Sequence, residues 1–322
     1  MPALSKPIPP LYTVYILRST VRHASLYIGS TPHPPRRLKQ HNGEAKGGAV
    51  RTSRNTLRPW EMVGLVSGFP GMVAALKFEW ALTNPHLSLH IPSSSRISTS
   101  AGTKRNGHPK RPRHSLTSIL SNLHLLLRVP SFARWPLNVH FFAPEVHEAW
   151  KKWCRTANEP LRDTIRVLTD FAPSPSPSAP RDSENPSADN EPQKPWGIHA
   201  LPLDYAPMKD YVTKTQSIYD FEREGSCVGC KEPLEPGKGL YATCSNPGCE
   251  CTGHVSCWSK LMLGKEAGED IIPITGVCPR CKGEVVWGDL MKEMSLRIRG
   301  PKEIEKLLKK PRKRKARAES TT

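Results

Sequence analysis

The sequence contains no apolar run of 18 residues, and residues 1–10 lack the apolar core of a secretory signal. These absences argue against a membrane-spanning helix and predict a soluble intracellular protein without a membrane partner. Cysteine is also nearly absent outside one region, since all but one of the nine cysteines lie between residues 227 and 281. Such a concentration is typical of zinc binding in a reducing compartment and argues against a disulfide framework.

Acidic residues are scarce: 29 Asp and Glu face 47 Lys and Arg, which gives a formal charge of +18. Residues 1–86 hold 11 basic and 3 acidic side chains, and residues 87–170 hold 13 and 5. Most of the positive charge therefore precedes the cysteine-rich region, where it could bind phosphates and release their counterions. The charge favours a nucleic-acid partner, and a basic surface that only maintains solubility is the alternative.

Composition divides the 322 residues into globular units separated by looser segments, as the 33 prolines suggest. The expected fold class is α/β, or α+β: a small N-terminal domain with a short mixed sheet and flanking helices, followed by a small two-zinc domain. In chain order the segments are the N-terminal domain (10–90), a basic flexible insertion (91–115), a helical extension (116–170), a disordered Pro/Ser-rich linker (171–195), the zinc domain (222–290) and a basic tail (300–322). The tail contains a Lys/Arg cluster of the nuclear-import type, although some basic tails are simply solvated.

Local patterns predict the elements of these domains. Aromatic and β-branched residues predict a hairpin of strands at 12–17 and 26–28, and a helix follows at 36–41. A third strand at 61–66 and a second helix at 72–82 complete the N-terminal domain. Further helices are predicted at 116–127, 145–156 and 303–310.

Five side chains of the N-terminal domain are candidates for a functional site: Tyr15, Tyr27, Arg37, His41 and Glu79. A hairpin register that pairs residue 15 with residue 27 places both tyrosines on one face of the sheet. Arg37 and His41 share a helix face at the i,i+4 spacing. Glu79 lies among apolar neighbours, where a carboxylate needs a cation or hydrogen-bond donors. Taken singly, each has an ordinary explanation as a packing tyrosine, a solvated charge or a water-facing glutamate.

In this order, the five residues and the motifs around them resemble the GIY-YIG nuclease family, and within it the catalytic subunits of the Slx-type structure-specific endonucleases. The matching motifs are Thr13-Val14-Tyr15, Tyr27-Ile28-Gly29-Ser30-Thr31, Arg36-Arg37-Leu38-Lys39-Gln40-His41-Asn42-Gly43, Gly47-Gly48-Ala49-Val50-Arg51-Thr52, Arg58-Pro59-Trp60-Glu61-Met62, Gly68-Phe69-Pro70 and Ala74-Ala75-Leu76-Lys77-Phe78-Glu79-Trp80. Those endonucleases also carry a C-terminal RING-type zinc finger. The chain departs from the family at Thr13, where the first motif has Gly, which affects a backbone position rather than a reacting side chain.

The resemblance implies a hydrolase that nicks phosphodiester bonds in branched DNA, such as flaps, replication forks and Holliday junctions, in DNA repair and recombination. Tyr15 would deprotonate or orient the attacking water together with Tyr27 and His41, and Arg37 would bind the scissile phosphate. Glu79 would hold one Mg²⁺ or Mn²⁺ ion. The resemblance also implies a nuclear heterodimer in which a Slx4-like scaffold subunit binds the zinc finger. The candidate contacts to the DNA backbone are Lys46, Arg51, Arg54 and Arg58.

Eight Cys and His residues in the order C4HC3 form the ligand pattern of a cross-braced finger with two zinc ions. Because protein side chains fill all the ligand positions, both ions are predicted to be structural. Cys251 is a ninth candidate, which the sequence does not exclude in place of Cys249. Alternating pairs would share one ion each: Cys227, Cys230, His254 and Cys257 on the first, and Cys244, Cys249, Cys278 and Cys281 on the second.

The same ligand order fits other classes of zinc domain. The chain has Val228 directly after the first ligand and Pro279 within the last ligand pair, and residues of these types at these positions resemble those of RING-type ubiquitin ligases. PHD histone readers share the C4HC3 order but usually carry an aromatic residue where this chain has Gly276. The resemblance favours docking over ligase activity or histone reading. A RING-type E3 ubiquitin ligase, or a zinc-finger adaptor without enzymatic activity, is the alternative to the nuclease.

Overall fold

The computed structural model describes residues 6–100, 102–112, 114–133, 135–173, 195–235, 239–264 and 271–309. The chain forms two compact units, one of residues 9–204 and the other of residues 1–8 with 205–322. Most of the expected linker and the basic cluster of the tail lie outside the described residues. None of the described helices is long and apolar enough to cross a membrane.

A five-stranded sheet forms the centre of the first unit, with the strand order β2-β1-β3-β4-β5. The strands are β1 (Thr13–Ser19), β2 (Leu26–Thr31), β3 (Trp60–Ser67), β4 (Asn138–Phe141) and β5 (Arg166–Thr169). Neighbouring strands are antiparallel except β4 and β5, which are parallel. All seven residues of β1 are buried, because this strand lies between β2 and β3 and packs on both faces of the sheet.

Helices cover the sheet and close the main core. They are α1 (Pro34–Asn42), α2 (Met72–Thr83), α3 (Leu116–Leu126), α4 (Pro130–Ala133) and α5 (Pro144–Thr156). Val14 and Ile16 of β1 point to the face where Phe78 of α2 and Trp150 of α5 complete the main core. Since side chains alternate along a strand, the residues between them point to the other face.

The second face of the sheet carries a smaller cluster that includes Tyr15. Tyr15 and Leu17 pack there with Trp60, and Leu38 brings α1 against the same cluster. Ile198, in a short 3₁₀ turn at Gly197–His199, is also buried in it. Alternate residues of one strand therefore build the main core on one side and hold the first candidate tyrosine on the other.

The hairpin was predicted correctly as an element but not in its register. Tyr15 pairs with Gly29, and Leu17 pairs with Tyr27, so the expected pairing of residue 15 with residue 27 is wrong by two residues. A tight turn, in which the Ser25 amide donates to the carbonyl of Arg22, closes the hairpin further along the chain. Because a shift of two preserves the face, both tyrosines still lie on the same side of the sheet.

The region expected to be a helical extension also supplies two strands. The bounds of α3 and α5 agree with the predicted helices to within one residue. In addition, β4 and β5 extend the sheet beyond β3. Both strands have only four residues, and they pair with segments far away in the chain. Such short strands carry little periodic signal, which is why the sequence patterns did not indicate them.

The second unit is built from short elements around the cysteines. Its helices are α6 (Lys209–Asp220), α7 (Val255–Leu263), α8 (Trp287–Arg299) and α9 (Pro301–Leu308), and its strands are β6 (Tyr241–Thr243), β7 (Thr252–His254), β8 (Thr275–Val277) and β9 (Glu284–Val286). The strands form two antiparallel pairs, β6 with β7 and β8 with β9. Trp258, Val285 and Leu290 are fully buried among the cysteines.

Candidate active site and zinc clusters

Helix α1 presents two of the candidate residues to the sheet. It begins with Pro34–Pro35, whose missing amide protons cost nothing in a first turn, and it ends at Gly43, which has a left-handed φ of 83°. Arg37 and His41 are four residues apart and lie on one face of this helix. Both side chains reach the hydroxyl of Tyr15 in β1.

Tyr15 is the centre of the hydrogen-bond network. Its side chain is 0% exposed, and its Oη lies 2.8 Å from Nε2 of His41. Arg37 Nε donates to the same oxygen at 3.2 Å. Arg37 Nη1 donates to the side-chain oxygen of Gln40 and to the carbonyl of Gly47, each at 2.8 Å. The guanidinium is therefore fixed in orientation by the fold itself.

A buried threonine determines which nitrogen of His41 carries the proton. Thr52 Oγ1 lies 2.7 Å from Nδ1 of His41, and it donates its only proton to the carbonyl of Ala49 at 2.9 Å. The hydroxyl must therefore accept from Nδ1–H, which leaves Nε2 without a proton in the neutral ring. The network thus assigns Tyr15 as the donor to Nε2.

Burial keeps these aromatic groups neutral. Burial and the positive charges of Arg37 and Arg58 lower the pKa of His41 to about 4. Burial raises the pKa of Tyr15 and of Tyr27, and the charge of Arg37 opposes both changes. The ring centroid of Tyr27 lies 5.2 Å from that of His41 and 6.5 Å from that of Tyr15. At neutral pH the cluster holds an unprotonated imidazole that accepts a hydrogen bond from a phenol.

Gly29 makes room for the two tyrosines. A Cβ at this position would lie 2.5 Å from Oη of Tyr15 and 2.9 Å from the ring of Tyr27, so any other residue would force the rings apart. Thr13, the departure from the family motif, is fully buried in β1, and its hydroxyl donates to the carbonyl of Thr31 at 3.0 Å. Its side chain is thus satisfied within the hairpin.

Glu79 approaches this cluster from α2, which packs on the opposite face of the sheet. Burial raises the pKa of its half-buried carboxylate, and a hydrogen bond from Ser30 and the charge of Arg37 oppose that rise. Among the described residues, no Lys or Arg forms an ion pair with Glu79. A carboxylate without a cationic partner, beside a hydroxyl group, is a donor set that fits a hard divalent cation such as Mg²⁺ or Mn²⁺.

The four candidate DNA contacts differ in how the fold uses them. Lys46, Arg51 and Arg54 are exposed. Arg58 is half-buried, and its Nε donates to the carbonyl of His41 at 2.9 Å. Arg58 therefore braces the end of α1, and the structure gives it a positioning role that the sequence did not indicate.

The first zinc cluster consists of Cys227, Cys230, His254 and Cys257, whose ligand atoms lie within 4.8 Å of one another. Nδ1 of His254 lies 3.4 Å from Sγ of Cys230 and 3.9 Å from Sγ of Cys257. For Zn–N and Zn–S bonds of about 2.1 and 2.3 Å, a tetrahedral site has an N–S edge of about 3.6 Å. The geometry therefore fits a zinc ion bound through Nδ1.

The second zinc cluster consists of Cys244, Cys249, Cys278 and Cys281. The sulfurs of Cys244 and Cys281 are 3.8 Å apart, and so are those of Cys249 and Cys278. This matches the S–S edge of about 3.8 Å in a tetrahedral zinc thiolate site and is far longer than a disulfide of about 2.05 Å. Cys251 is buried in the adjoining apolar cluster and lies outside the ligand group.

A lysine of α6 supports the second cluster. Lys214 Nζ donates to the carbonyls of Cys244 at 2.6 Å, Asn246 at 2.7 Å and Cys249 at 2.9 Å. Its charge lies beside a group of thiolates, where it offsets their negative charge. Sequence patterns missed both Lys214 and Thr52, because each acts on residues that no local motif connects to it.

The neutral state of His41 predicts a pH dependence of stability. Its folded pKa of about 4 lies below the value of about 6.5 in an unfolded chain, so between these values only the unfolded state gains the proton. The contribution of His41 to the free energy of unfolding is therefore complete above about pH 6.5, and it falls as the pH drops toward about 4.

Urea unfolding followed by circular dichroism at pH 7.5 and pH 5 would measure this effect in the full chain. On going to pH 5, we expect the wild type to lose roughly 1–2 kcal/mol more than His41→Gln, in which the titrating group is absent. The other titrating groups contribute equally in both proteins, so their contributions cancel in the difference between the two losses. Equal losses would show that His41 is not held neutral by the fold.

The ligand grouping predicts a difference between two neighbouring cysteines. Cys249→Ser removes a ligand and should lower the metal content from two zinc ions to one. Cys251→Ser should retain both ions, because this thiol lies outside the ligand group. Mass spectrometric metal analysis of the full chain tests this, and the opposite pattern would mean that Cys251 is the ligand.

Comparison with known proteins identifies relatives of both units. Residues 11–90 match the family described as the GIY-YIG catalytic domain. Residues 226–291 match the family described as structure-specific endonuclease subunit SLX1, C-terminal. The two matches include the tyrosine and arginine cluster and all eight zinc-ligand candidates.

Similarity to complete proteins extends over nearly the whole chain. A protein of Podospora anserina named structure-specific endonuclease subunit SLX1 is 60% identical over 324 residues, covering 96% of this chain and 94% of the relative. Proteins of the same name from Chaetomium globosum and Neurospora crassa are 57% and 54% identical, covering 98% and 95% of this chain and 98% and 83% of the relatives. The chain therefore belongs to the SLX1 family of structure-specific endonuclease subunits, and it is a hydrolytic endonuclease with a GIY-YIG catalytic domain.

Proposed function

We propose that the protein is the catalytic subunit of a divalent-metal-dependent endonuclease that nicks branched DNA, including flaps, replication forks and Holliday junctions, in repair and recombination. The observation that carries this proposal is the hydrogen-bonded cluster of Tyr15, Arg37 and His41, with Tyr27 and Glu79 beside it. The net charge of +18 suits a polyanionic substrate. The basic tail is the reason for proposing that the protein works in the nucleus.

The cluster offers a route for the proton of the attacking water. Tyr15 donates its proton to Nε2 of His41, and its oxygen keeps one lone pair besides the one that accepts from Arg37. As the water attacks, this oxygen receives the water's proton while the phenol proton passes to Nε2. No phenolate has to form, which matters because burial raises the pKa of Tyr15. Tyr27 is only half-buried and offers a second hydroxyl that orients the water.

Arg37 and Glu79 act on the phosphate side of the reaction. Arg37 is permanently charged and already oriented, so its remaining donors can stabilise the charge that develops on the scissile phosphate. Glu79, with Ser30 beside it, would hold one Mg²⁺ or Mn²⁺ ion. When bound, the ion supplies charge neutralisation at the phosphate and the leaving 3′ oxygen.

For the second unit we propose docking on a Slx4-like scaffold subunit. The relatives are named as subunits, which supports an assembly with another chain. Among the exposed apolar side chains are Leu261 on α7 (40%), Ile271 ahead of β8 (79%) and Val277 on β8 (58%). Exposed apolar side chains are typical of partner-binding surfaces. Both zinc clusters have four protein ligands, which leaves no position for a catalytic water and supports a structural role.

Two substitutions test the catalytic assignment. Arg37→Ala removes the phosphate-binding cation, and Glu79→Gln removes the metal-binding carboxylate. Single-turnover nicking of a labelled flap DNA with Mg²⁺ should fall by about a thousandfold or more in each variant. Arg36→Ala, a change to an exposed arginine next to Arg37, is the matched control and should stay within about threefold of the wild type. Undiminished nicking by Arg37→Ala or Glu79→Gln would refute the proposal.

Thr52 gives a separate test of the proton route. Thr52→Val removes the acceptor of Nδ1–H, so the proton moves to Nε2, which then no longer accepts from Tyr15. The saturated nicking rate should fall by about ten- to a hundredfold, up to the lower end of general-base contributions because the imidazole is retained, while KM changes little. Thr52→Ser keeps the hydroxyl and should retain the rate. Nitrogen NMR of His41 reports the tautomer directly, and an unchanged tautomer with an unchanged rate in Thr52→Val would contradict this role.

A further inference from the structure

The basic insertion at 91–115 is attached to the helix that carries Glu79. Nη2 of Arg111 donates to the side-chain oxygen of Asn84 at 2.7 Å, just past the end of α2. Nε2 of His114 lies 3.1 Å from the carbonyl of Thr83, the last residue of α2. Two contacts therefore hold the end of the insertion against α2, and neither of them involves an acidic side chain.

This part of the sequence is rich in basic residues and contains no acidic ones. Residues 80–144 include eight Lys and Arg but no Asp or Glu. Burial and the charge of Arg51 lower the pKa of Arg111. Burial, followed by the charge of Arg111, lowers the pKa of His114 and of His86, and Arg51 adds to the effect on His114. These groups repel one another, which is the electrostatic condition that an anion relieves.

A cleft joins this basic region to the active site. It has a volume of about 340 Å³ and is lined by Tyr27, Arg51, Thr83 and His114, among others. Tyr27 belongs to the catalytic cluster, Arg51 follows α1 in the chain, and His114 is in the insertion. The cleft thus extends from Tyr27 to the end of α2 at Thr83.

We propose that Arg51 and Arg111, with the cleft between Tyr27 and His114, form a second phosphate-binding surface that holds the DNA backbone beside the scissile bond. The proposal rests on the proposed nuclease function and assigns a role to the insertion. A polynucleotide fits better than a single phosphate, because Arg51 and Arg111 are exposed and the exposed Lys104 adds its charge at His86, beside Arg111.

The salt dependence of DNA binding tests this surface. Fluorescence anisotropy of a labelled flap DNA is measured from 50 to 200 mM salt with the full chain carrying Glu79→Gln, which prevents cleavage. Adding Arg51→Gln with Arg111→Gln should reduce the slope of log Kd against log salt by about 1.8, because each lost phosphate contact removes about 0.9. The matched control adds Lys152→Gln with Arg155→Gln, two exposed positions of α5 with the same change in charge. Its slope should change by less than about 0.5. Equal slopes in the two double variants would refute the proposed second phosphate-binding surface.

Cleavage kinetics separate this proposal from the nuclease proposal. With Glu79 intact, Arg51→Gln with Arg111→Gln should raise the protein concentration for half-maximal nicking by about tenfold and leave the saturated rate within about threefold. A lower saturated rate with unchanged half-saturation would also overturn the surface, since these residues would then act in the chemical step. Absence of nicking by the wild type, even with the scaffold subunit present, would instead refute the proposed function. Wild-type nicking with equal salt slopes would refute the second surface alone.

Discussion

The hydrogen bond between Tyr15 and His41 is the constraint on which the catalytic unit depends. It joins β1 to α1 inside the fold, where a phenol and an imidazole are tolerated only if their polar atoms are satisfied. Arg37 and Thr52 meet that requirement, since one donates to Tyr15 and the other accepts from His41. The same two contacts orient the guanidinium and select the imidazole tautomer, so satisfying the buried pair also assembles the proposed catalytic groups.

The distribution of acidic residues explains why the surroundings of this site remain positive. Arg18 is buried, and it is paired with Glu61 and Glu145. Arg128 is likewise paired with Glu159. Structural arginines thus take up scarce carboxylates of this unit, whereas Arg111 is held by an amide oxygen. A nuclease site needs exposed cations. They remain available here because several of the few acidic side chains in this unit pair with structural arginines away from the site.

Sequence patterns predicted what depends on short separations along the chain. The hairpin, α1 and α2 were found at nearly the observed bounds, and the spacing of Arg37 and His41 placed both on one helix face. The hairpin register was wrong because a turn around Arg22 decides it, and β4 and β5 were missed because their partners are distant. Thr52 was missed for a related reason: its function is a contact with a ring eleven residues away, which only the loop conformation creates.

The low pKa of His41 couples the chemistry to the substrate. At rest the imidazole is a weak base, because burial and then the charge of Arg37 lower its pKa to about 4. In the proposed reaction a phosphate binds Arg37, and its negative charge offsets that effect. In that proposed complex the pKa of His41 would rise by the part that the charge of Arg37 now lowers it, while the effect of burial would remain. Without DNA the buried imidazole therefore stays unprotonated at neutral pH, and in the proposed complex the phosphate would make it a stronger base.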